Sequence, residues 1–138
     1  MGRVVFTNGC FDLFHMGHLY TLEYCKIMAG DDGKVVVGLN DDYSISLIKG
    51  NERPIIDQNQ RFEILEALVY VDEVYLFQEE TPYRLIEAVK PDLIVKGPDY
   101  TGRESEVVGA DLAEVMIVPE DFRPNISTSM IIEKIKNL

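Results

Sequence analysis

The sequence predicts an α/β protein with an open parallel sheet and helices on both faces. Apolar runs rich in Val, Ile and Leu recur along the chain, and they are near-continuous, as in strands covered on both sides. Segments with helical spacing of apolar residues separate these runs. With 138 residues, 46% of them hydrophobic, the chain is long enough for a full core. We therefore predict one domain spanning residues 1–138.

Composition and charge exclude several classes of partner. The formal net charge is −11, with 13 Lys+Arg against 24 Asp+Glu, which argues against non-specific nucleic-acid binding. No apolar run is long enough to span a bilayer, so no membrane partner is predicted. The chain has two cysteines and no disulfide framework, which indicates a reduced, cytoplasmic setting. Nucleotides stay compatible with this balance, because the few basic residues can gather at one site and Mg²⁺ offsets the charge of a triphosphate.

The first strand and the turn after it carry the most informative residues. The strand is predicted over 3–8, and a helix begins near Gly17. Gly9 and Gly17 allow the backbone to approach a ligand, and the open N–H groups and dipole of the new helix favour an anion. The two histidines of the chain, His15 and His18, lie at this turn. The pattern indicates a phosphate site with chemistry attached.

Two other interpretations of the histidines are available. One is that they are ordinary structural residues, although their position at one predicted turn speaks against it. The other is a zinc pair, since His-x-x-His can supply two ligands. The chain has no further histidine, and Cys10 and Cys25 do not form a metal spacing. No metal ligand from the protein is therefore predicted.

A second strand and a cationic loop follow. The strand is predicted over 34–40 and a short helix over 41–47. The polar, turn-rich stretch 48–54 holds Lys49 and Arg53. Two cations in an acidic protein indicate a mobile arm over phosphates, and the alternative is an ordinary solvated loop.

The middle of the chain adds two helices around a third strand over 72–77. Asp57 and the glutamine three residues later predict a helix start, and its core face comprises Phe62, Leu65, Leu68 and Val69. Arg61 lies in the first turn, where a cation is unfavourable for the dipole, which hints at a ligand or an acidic partner. Thr81 is predicted to cap the next helix, with Pro82 in its first turn.

The last third of the chain brings two more polar groups to strand ends. Strand four, over 92–95, runs into Lys96, which is either a phosphate contact or an exposed strand-end lysine. Strand five is predicted over 114–118. The final helix begins near Ser127, so residues 126–129 form a strand-to-helix entry with three hydroxyls and open N–H groups. An ordinary serine cap is the alternative there.

These motifs resemble those of the nucleotidyltransferase superfamily. Residues 9–18, Gly-Cys-Phe-Asp-Leu-Phe-His-Met-Gly-His, resemble its signature G-[TC]-F-D-x-x-H-x-G-H. Its small members include glycerol-3-phosphate cytidylyltransferase and the bacterial heptose-1-phosphate adenylyltransferase. Lys-Gly-x-x-Arg-Pro at 49–54 and Lys-Gly-x-Asp-Tyr at 96–100 are similar to segments of the heptose branch. Residues 126–129 resemble the second motif, I-S-[ST]-[ST]. The resemblance covers essentially the whole chain.

The resemblance implies a Rossmann-like five-stranded sheet of order 3-2-1-4-5, with the histidines at the switch point between strands one and four. It implies transfer of a nucleoside monophosphate from ATP or CTP to a sugar or polyol phosphate, with Mg²⁺, release of pyrophosphate and a homodimer. Three interpretations are open: an adenylyltransferase of the ADP-heptose type, a cytidylyltransferase acting on glycerol 3-phosphate or a similar acceptor, and a non-catalytic nucleotide-binding module.

The resemblance also assigns roles to particular residues. His15, His18 and Lys49 are expected to be catalytic, while Arg61 and Lys96 are expected to contact phosphates. The expected nucleotide-binding residues are Gly9, Cys10, Phe11, Asp12, Gly17, Arg123, Ile126, Ser127, Thr128 and Ser129.

Overall fold

Five parallel strands form one sheet of order β3-β2-β1-β4-β5 in the computed structural model, which describes residues 2–138. The strands are β1 (Val4–Gly9), β2 (Lys34–Asn40), β3 (Glu73–Phe77), β4 (Leu93–Lys96) and β5 (Glu114–Ile117). The helices are α1 (Met16–Ala29), α2 (Asp42–Lys49), α3 (Gln58–Ala67), α4 (Tyr83–Val89) and α5 (Thr128–Lys136). Short 3₁₀ turns cover Pro98–Tyr100 and Glu104–Glu106. The predicted fold class and strand order are both confirmed.

The core has two halves, one on each face of the sheet. Neighbouring residues of β1 point to opposite faces, so that Val5 packs with α1 and α3 while Phe6 packs with α4. The same alternation divides Val35 from Val36 in β2. Burial on both faces explains why these strands read as near-continuous apolar runs. Within residues 2–138, no helix combines the length and apolar character needed to cross a bilayer.

The chain reverses its direction across the sheet between β1 and β4. These strands are neighbours, with Val5 beside Leu93 and Phe6 beside Ile94, although β2 and β3 separate them in the sequence. At such a switch point the carboxyl ends of the strands open a crevice between the flanking connections. The fold therefore places the turn after β1 and the end of β4 at one edge.

The start of α3 is confirmed, whereas its predicted core face is wrong at one position. Asp57 accepts from the backbone N–H of Gln60 at 3.0 Å, as a helix cap should. The helix ends at Ala67, so Val69 lies beyond it and is 87% exposed. The predicted core face assumed that the helix continues to Val69. Because the helix ends two residues earlier, the Val69 side chain does not face the core.

The predicted cap of α4 is also wrong. The helix begins at Tyr83, and Pro82 rather than Thr81 is the N-cap residue, without a side-chain cap hydrogen bond. The first helical bond runs from the Ile86 N–H to the Pro82 carbonyl at 2.9 Å. Because that carbonyl already begins the helical ladder, Thr81 is one residue too early to cap it.

Candidate functional site

The turn after β1 is held in an unusual backbone conformation by one carboxylate. Phe11 and Leu13 have φ values of 51° and 48°, in the left-handed region that costs roughly 1 kcal/mol or more for each non-glycine residue. Asp12 Oδ1 accepts from the N–H of Leu13 at 3.1 Å and of Ile56 at 2.9 Å. Asp12 Oδ2 accepts from the N–H of Ile55 at 2.8 Å. The carboxylate therefore orders the turn and joins it to the segment that follows α2.

The Asp12 side chain keeps its charge although it is buried. Burial alone would raise the pKa of Asp12, but the amides of Ile55 and Ile56 and the nearby Arg53 guanidinium outweigh it, and the pKa is lowered. Arg53 Nε lies 3.4 Å from Asp12 Oδ2. These contacts favour an ordering role for Asp12, which the sequence left open.

The two histidines cap helix α1. His15 is the N-cap residue, and its Nδ1 accepts from the N–H of Gly17 at 3.0 Å. His18 Nδ1 accepts in turn from the N–H of His15 at 3.1 Å, and the two ring centroids are 3.8 Å apart. Because each Nδ1 is an acceptor, each neutral ring carries its hydrogen on Nε2. The capping geometry therefore fixes the tautomer of both imidazoles.

Both imidazoles are neutral at neutral pH. Burial lowers the pKa of His18 to about 3, and the neighbouring His15 and Lys49 act in the same direction. Burial also lowers the pKa of His15. The site therefore presents two Nε2–H donors that carry no net charge.

Helix α5 begins beside the same histidines. Thr128 Oγ1 donates to the Asp12 carbonyl at 3.1 Å, which leaves a lone pair for His15 Nε2 at 3.2 Å. Ser127 is the N-cap residue, and its hydroxyl oxygen accepts from the Met130 N–H at 3.2 Å. The serine is a cap, as its alternative interpretation predicts, and the cap brings the second motif against the first.

Gly17 allows this junction to form. A Cβ atom added at Gly17 would lie 2.3 Å from the Ile126 carbonyl oxygen and 2.9 Å from the His15 ring. The close approach expected at Gly17 therefore exists, and its partner is the backbone that leads into α5.

A cleft of about 570 Å³ opens where these elements meet. Three cations line it, namely Lys49, Arg53 and Lys96. Of the residues expected from the sequence, the cleft brings together Gly9, Cys10, Phe11, Asp12, His15, Gly17, His18, Lys49, Lys96, Ile126, Ser127, Thr128 and Ser129. The cleft also contains Thr21 and Asn125, which were not predicted because isolated polar residues at element ends form no distinctive pattern. Asn8 and Asp99 also line it, and they belong to predicted segments without an assigned role.

The lysines reach the cleft from the ends of two elements. Lys49 is the last residue of α2, with Gly50 as the C-cap, so it is anchored by a helix and not by the loop that was predicted. Lys96 ends β4, and its Nζ donates to the Asn8 carbonyl at 3.2 Å. Burial lowers the pKa of Lys96 and raises the pKa of the Cys10 thiol. Cys10 is thus a neutral part of the wall.

Arg61 does not lie in the cleft, contrary to expectation. It is buried, and its Nη1 donates to the carbonyls of Cys10 at 2.7 Å and Asn40 at 2.8 Å. Its Nη2 donates to Asp42 Oδ1 at 2.8 Å. Arg61 therefore joins the ends of β1 and β2 to α2. Of the two explanations for a cation in this first turn, the acidic partner is the one that the structure provides.

Arg123 also lies outside the cleft. Its Nη2 donates to Glu23 Oε2 at 3.0 Å, and its guanidinium lies 4.5 Å from the centre of the Phe122 ring. It borders a neighbouring hollow of about 40 Å³. This position gives no support to the expected phosphate contact.

The side chains that line the cleft are compatible with a metal ion that binds together with a nucleotide. Among residues 2–138, no group of three or more His, Cys, Asp or Glu side chains is arranged to hold a metal ion. Both oxygens of Asp12 already accept backbone N–H groups. Mg²⁺ is commonly held through substrate phosphates with few protein ligands. A cleft with three cations and no carboxylate cage fits that mode.

The fold and the site together define the class: an open α/β domain whose switch point carries a cleft lined by two histidines and three cations. The chain matches the family described as "Cytidylyltransferase-like" over residues 6–134, and it belongs to that family. This confirms the resemblance to the nucleotidyltransferases.

Curated relatives are longer than this chain. It is 47% identical to the "Bifunctional protein HldE" of a Nitratiruptor species, over 98% of this chain and 28% of the relative. A protein of the same name from Helicobacter pylori is 47% identical over 97% of this chain and 28% of the relative. The chain thus spans 28% of the length of these relatives.

Solved structures share the fold. A lipopolysaccharide core biosynthesis protein from Thermoplasma volcanium GSS1 has a TM-score of 0.68 and 27% identity, over 86% of this chain and 98% of that chain. A putative nicotinate-nucleotide adenylyltransferase from Vibrio parahaemolyticus has a TM-score of 0.62 at 18% identity, over 99% of this chain and 88% of that chain. The second likeness is one of fold alone.

Proposed function

We propose that this domain transfers a nucleoside monophosphate from a nucleoside triphosphate to a sugar phosphate and releases pyrophosphate, with ATP and heptose 1-phosphate as substrates. The observation that carries the proposal is the pair of neutral Nε2–H donors, His15 and His18, at the meeting point of two helix N-termini. The similarity to HldE proteins and the heptose-type segments at 49–54 and 96–100 support the substrate pair. Mg²⁺, a cytoplasmic setting and a homodimer belong to the same proposal.

The reaction exchanges one phosphorus–oxygen bond for another. An anionic phosphate oxygen of the acceptor forms a bond to the α-phosphorus of the triphosphate. The bond from that phosphorus to the oxygen bridging the α- and β-phosphates breaks, and its electron pair leaves with pyrophosphate. The nucleophile is already deprotonated, so no protein base is needed. Catalysis then consists of positioning and of stabilising charge on the phosphoryl oxygens.

Each part of the cleft has a task in this reaction. His15 and His18 donate Nε2–H bonds to the α-phosphoryl and leaving oxygens, where charge builds up. Lys49 pairs with the triphosphate, and the open N–H groups at the start of α5 bind its terminal phosphates. Mg²⁺ bound with the triphosphate would supply further charge neutralisation. To serve the substrate, His15 exchanges its bond to Thr128 for one to phosphate.

The test is pyrophosphate release by the purified chain with Mg²⁺. ATP and CTP are each combined with heptose 1-phosphate and glycerol 3-phosphate. Turnover with ATP and heptose 1-phosphate alone is the expected result. Turnover with CTP and glycerol 3-phosphate would replace the proposal by a polyol-phosphate cytidylyltransferase. Nucleotide binding without turnover in all four mixtures would favour a non-catalytic binding module.

A further inference from the structure

A second cavity opens beside the cleft, on the side of α4, and we propose that it binds the sugar ring of the acceptor. This side cavity measures about 150 Å³, and its walls include Asn8, Glu80, Thr81, Lys96, Glu106 and Val108. The inference rests on the proposed function, because it concerns where the acceptor of that reaction lies.

The side cavity and the cleft share two wall residues, Asn8 and Lys96. Lys96 Nζ lies 3.2 Å from the Asn8 carbonyl oxygen and 5.2 Å from the centre of the Tyr100 ring. One cation therefore stands where the two spaces meet. The acceptor phosphate must reach the α-phosphorus in the cleft, and a phosphate held by Lys96 leaves the rest of the acceptor beside the side cavity.

The chemistry of the side cavity suits hydroxyl groups and not phosphates. Its walls carry the carboxylates of Glu80 and Glu106 and the hydroxyl of Thr81. Carboxylates accept hydrogen bonds from neutral hydroxyls, whereas they repel phosphate oxygens. The triphosphate is thus directed to the cationic cleft, and the neutral polyhydroxylated part of the acceptor is directed to the side cavity.

The size of the side cavity and its fixed apolar wall indicate which ligand group it holds. A cavity of about 150 Å³ is of the size that holds one six-membered ring, which suits one sugar ring and not a whole nucleoside. Val107 and Val108 form an apolar wall against which C–H groups of a ring can pack. Val107 is buried in the core, so this wall is a fixed part of the fold. A three-carbon acceptor such as glycerol 3-phosphate would leave the space partly unfilled.

The first test fills the cavity without disturbing the cleft. Val108 is exposed, so Val108→Trp can place an indole into the side cavity at little cost to folding. Ala110→Trp is the matched control, since Ala110 is exposed, two residues away and not part of the wall. We expect Val108→Trp to raise KM for heptose 1-phosphate by about tenfold or more, with the affinity for ATP unchanged.

Equal KM values for heptose 1-phosphate in Val108→Trp and Ala110→Trp would overturn the assignment. If Val108→Trp loses affinity for ATP and Ala110→Trp does not, the assignment is also wrong, because the side cavity then binds the nucleotide. A second pair of variants examines the carboxylate. Glu80→Ala is expected to raise KM for heptose 1-phosphate by about tenfold, as for a lost hydrogen bond to a charged group, while Glu79→Ala leaves it unchanged. Equal KM values in this pair would remove Glu80 from the site.

Calorimetry with heptose 1-phosphate separates this inference from the proposed function. If the unsubstituted chain binds heptose 1-phosphate without turnover, and Val108→Trp abolishes that binding, the proposed function fails while the side cavity stands. If turnover occurs with KM unaffected by Val108→Trp, the side cavity fails while the function stands. If the unsubstituted chain shows neither binding nor turnover with heptose 1-phosphate, both fail.

Discussion

At the scale of single residues, the two histidines of the motif do more than approach a ligand. Helix N-caps usually have side-chain oxygens as acceptors, and here imidazole Nδ1 atoms take that place in His15 and His18. The hydrogen bonds that begin α1 therefore also decide which ring nitrogen carries the hydrogen. The three-residue spacing serves helix capping, and in the proposed reaction it also lets both rings donate Nε2–H bonds to phosphate oxygens.

The capping bonds predict the tautomer and the charge of both rings. In ¹⁵N NMR spectra we expect Nδ1 of His15 and His18 to be unprotonated and Nε2 to be protonated. With the pKa of His18 lowered to about 3 by burial, that ring should not titrate between about pH 8 and about pH 5. The two histidines of the chain make the assignment simple. A His18 ring that titrates near its ordinary pKa would contradict this interpretation.

The placement of the cations predicts a contrast between Lys49 and Arg123. Lys49→Ala removes a cation from the cleft, so kcat/KM for ATP should fall by about tenfold or more. Arg123→Gln breaks an ion pair with Glu23 outside the cleft, so kcat/KM should change by less than about twofold. Steady-state kinetics on both variants, with circular dichroism as a check of folding, measure the contrast. Equal losses would return Arg123 to the site.

The sequence predicted which residues of the long motif lie at the cleft, whereas it did not predict the hydrogen-bond partners of a single arginine. Residues 9–18 combine a strand end, small residues and two histidines in one stretch, and seven of these ten residues line the cleft. Arg61 donates to the carbonyl of Cys10, just after β1, to the carbonyl of Asn40 at the end of β2, and to Asp42. Cys10 is far in sequence from the other two. Such partners meet only after the sheet has formed.

At the scale of elements, strands and helices follow from apolar periodicity, and their ends depend on local contacts. The start of α3 was predictable because the Asp57 cap is encoded within one turn. The start of α4 was not, since the Pro82 carbonyl begins that helix without any side-chain cap. Apolar periodicity predicts roughly where a helix or strand lies, and single hydrogen bonds determine the residue at which it begins.

The segment before β5 offers an element-scale prediction. Gly109 has φ of 95°, and a Cβ there would lie 2.8 Å from both Ile86 and Ile94. Gly102 has φ of 79° with nothing within 4 Å of an added Cβ. Both alanine variants incur backbone strain of roughly 1 kcal/mol, and Gly109→Ala adds about 1–3 kcal/mol of overpacking. Urea unfolding should therefore show a larger loss for Gly109→Ala, and equal losses would contradict the packing described here.

At the scale of the whole molecule, the order of the strands turns separate motifs into one site. Neighbouring strands β1 and β4 deliver the histidine turn and Lys96 to the same edge, and the start of α5 closes on them. Apolar periodicity alone predicted parallel strands without their order, and the order came from the resemblance to the nucleotidyltransferases. Local sequence patterns do not predict which strands, distant in sequence, pair with each other in the sheet.

Burial of His18 also predicts how the stability of the whole fold depends on pH. The unfolded ring takes up a proton below pH 6.5, and the folded ring does so only near about 3. Stability contributed by the neutral ring is therefore complete above pH 6.5 and falls as the pH falls toward 3. The free energy of unfolding should fall between about pH 6.5 and pH 5 by up to about 1.4 kcal/mol per pH unit for one proton.

His18→Asn should reduce this dependence, because the variant has no imidazole to protonate at position 18. The part that is left comes from His15, whose pKa burial also lowers. The lowered pKa of Asp12 acts in the same direction but only near its ordinary pKa of 3.8, below this range. Urea unfolding at about pH 7.5 and about pH 5 for both proteins measures the difference. Parallel pH dependence of the two proteins would contradict the burial of a neutral His18.

We propose that the histidines donate Nε2–H bonds to the reacting phosphoryl group, and two variants of His18 test this claim. Asparagine can replace Nδ1 as the acceptor for the His15 N–H but has no donor at the position of Nε2, whereas glutamine can place an N–H there. With ATP and heptose 1-phosphate, His18→Asn should lose roughly 10²–10³ in kcat, the cost of one transition-state donor, while ATP still binds. His18→Gln should recover part of that loss. Near-full turnover by folded His18→Asn would contradict the claim.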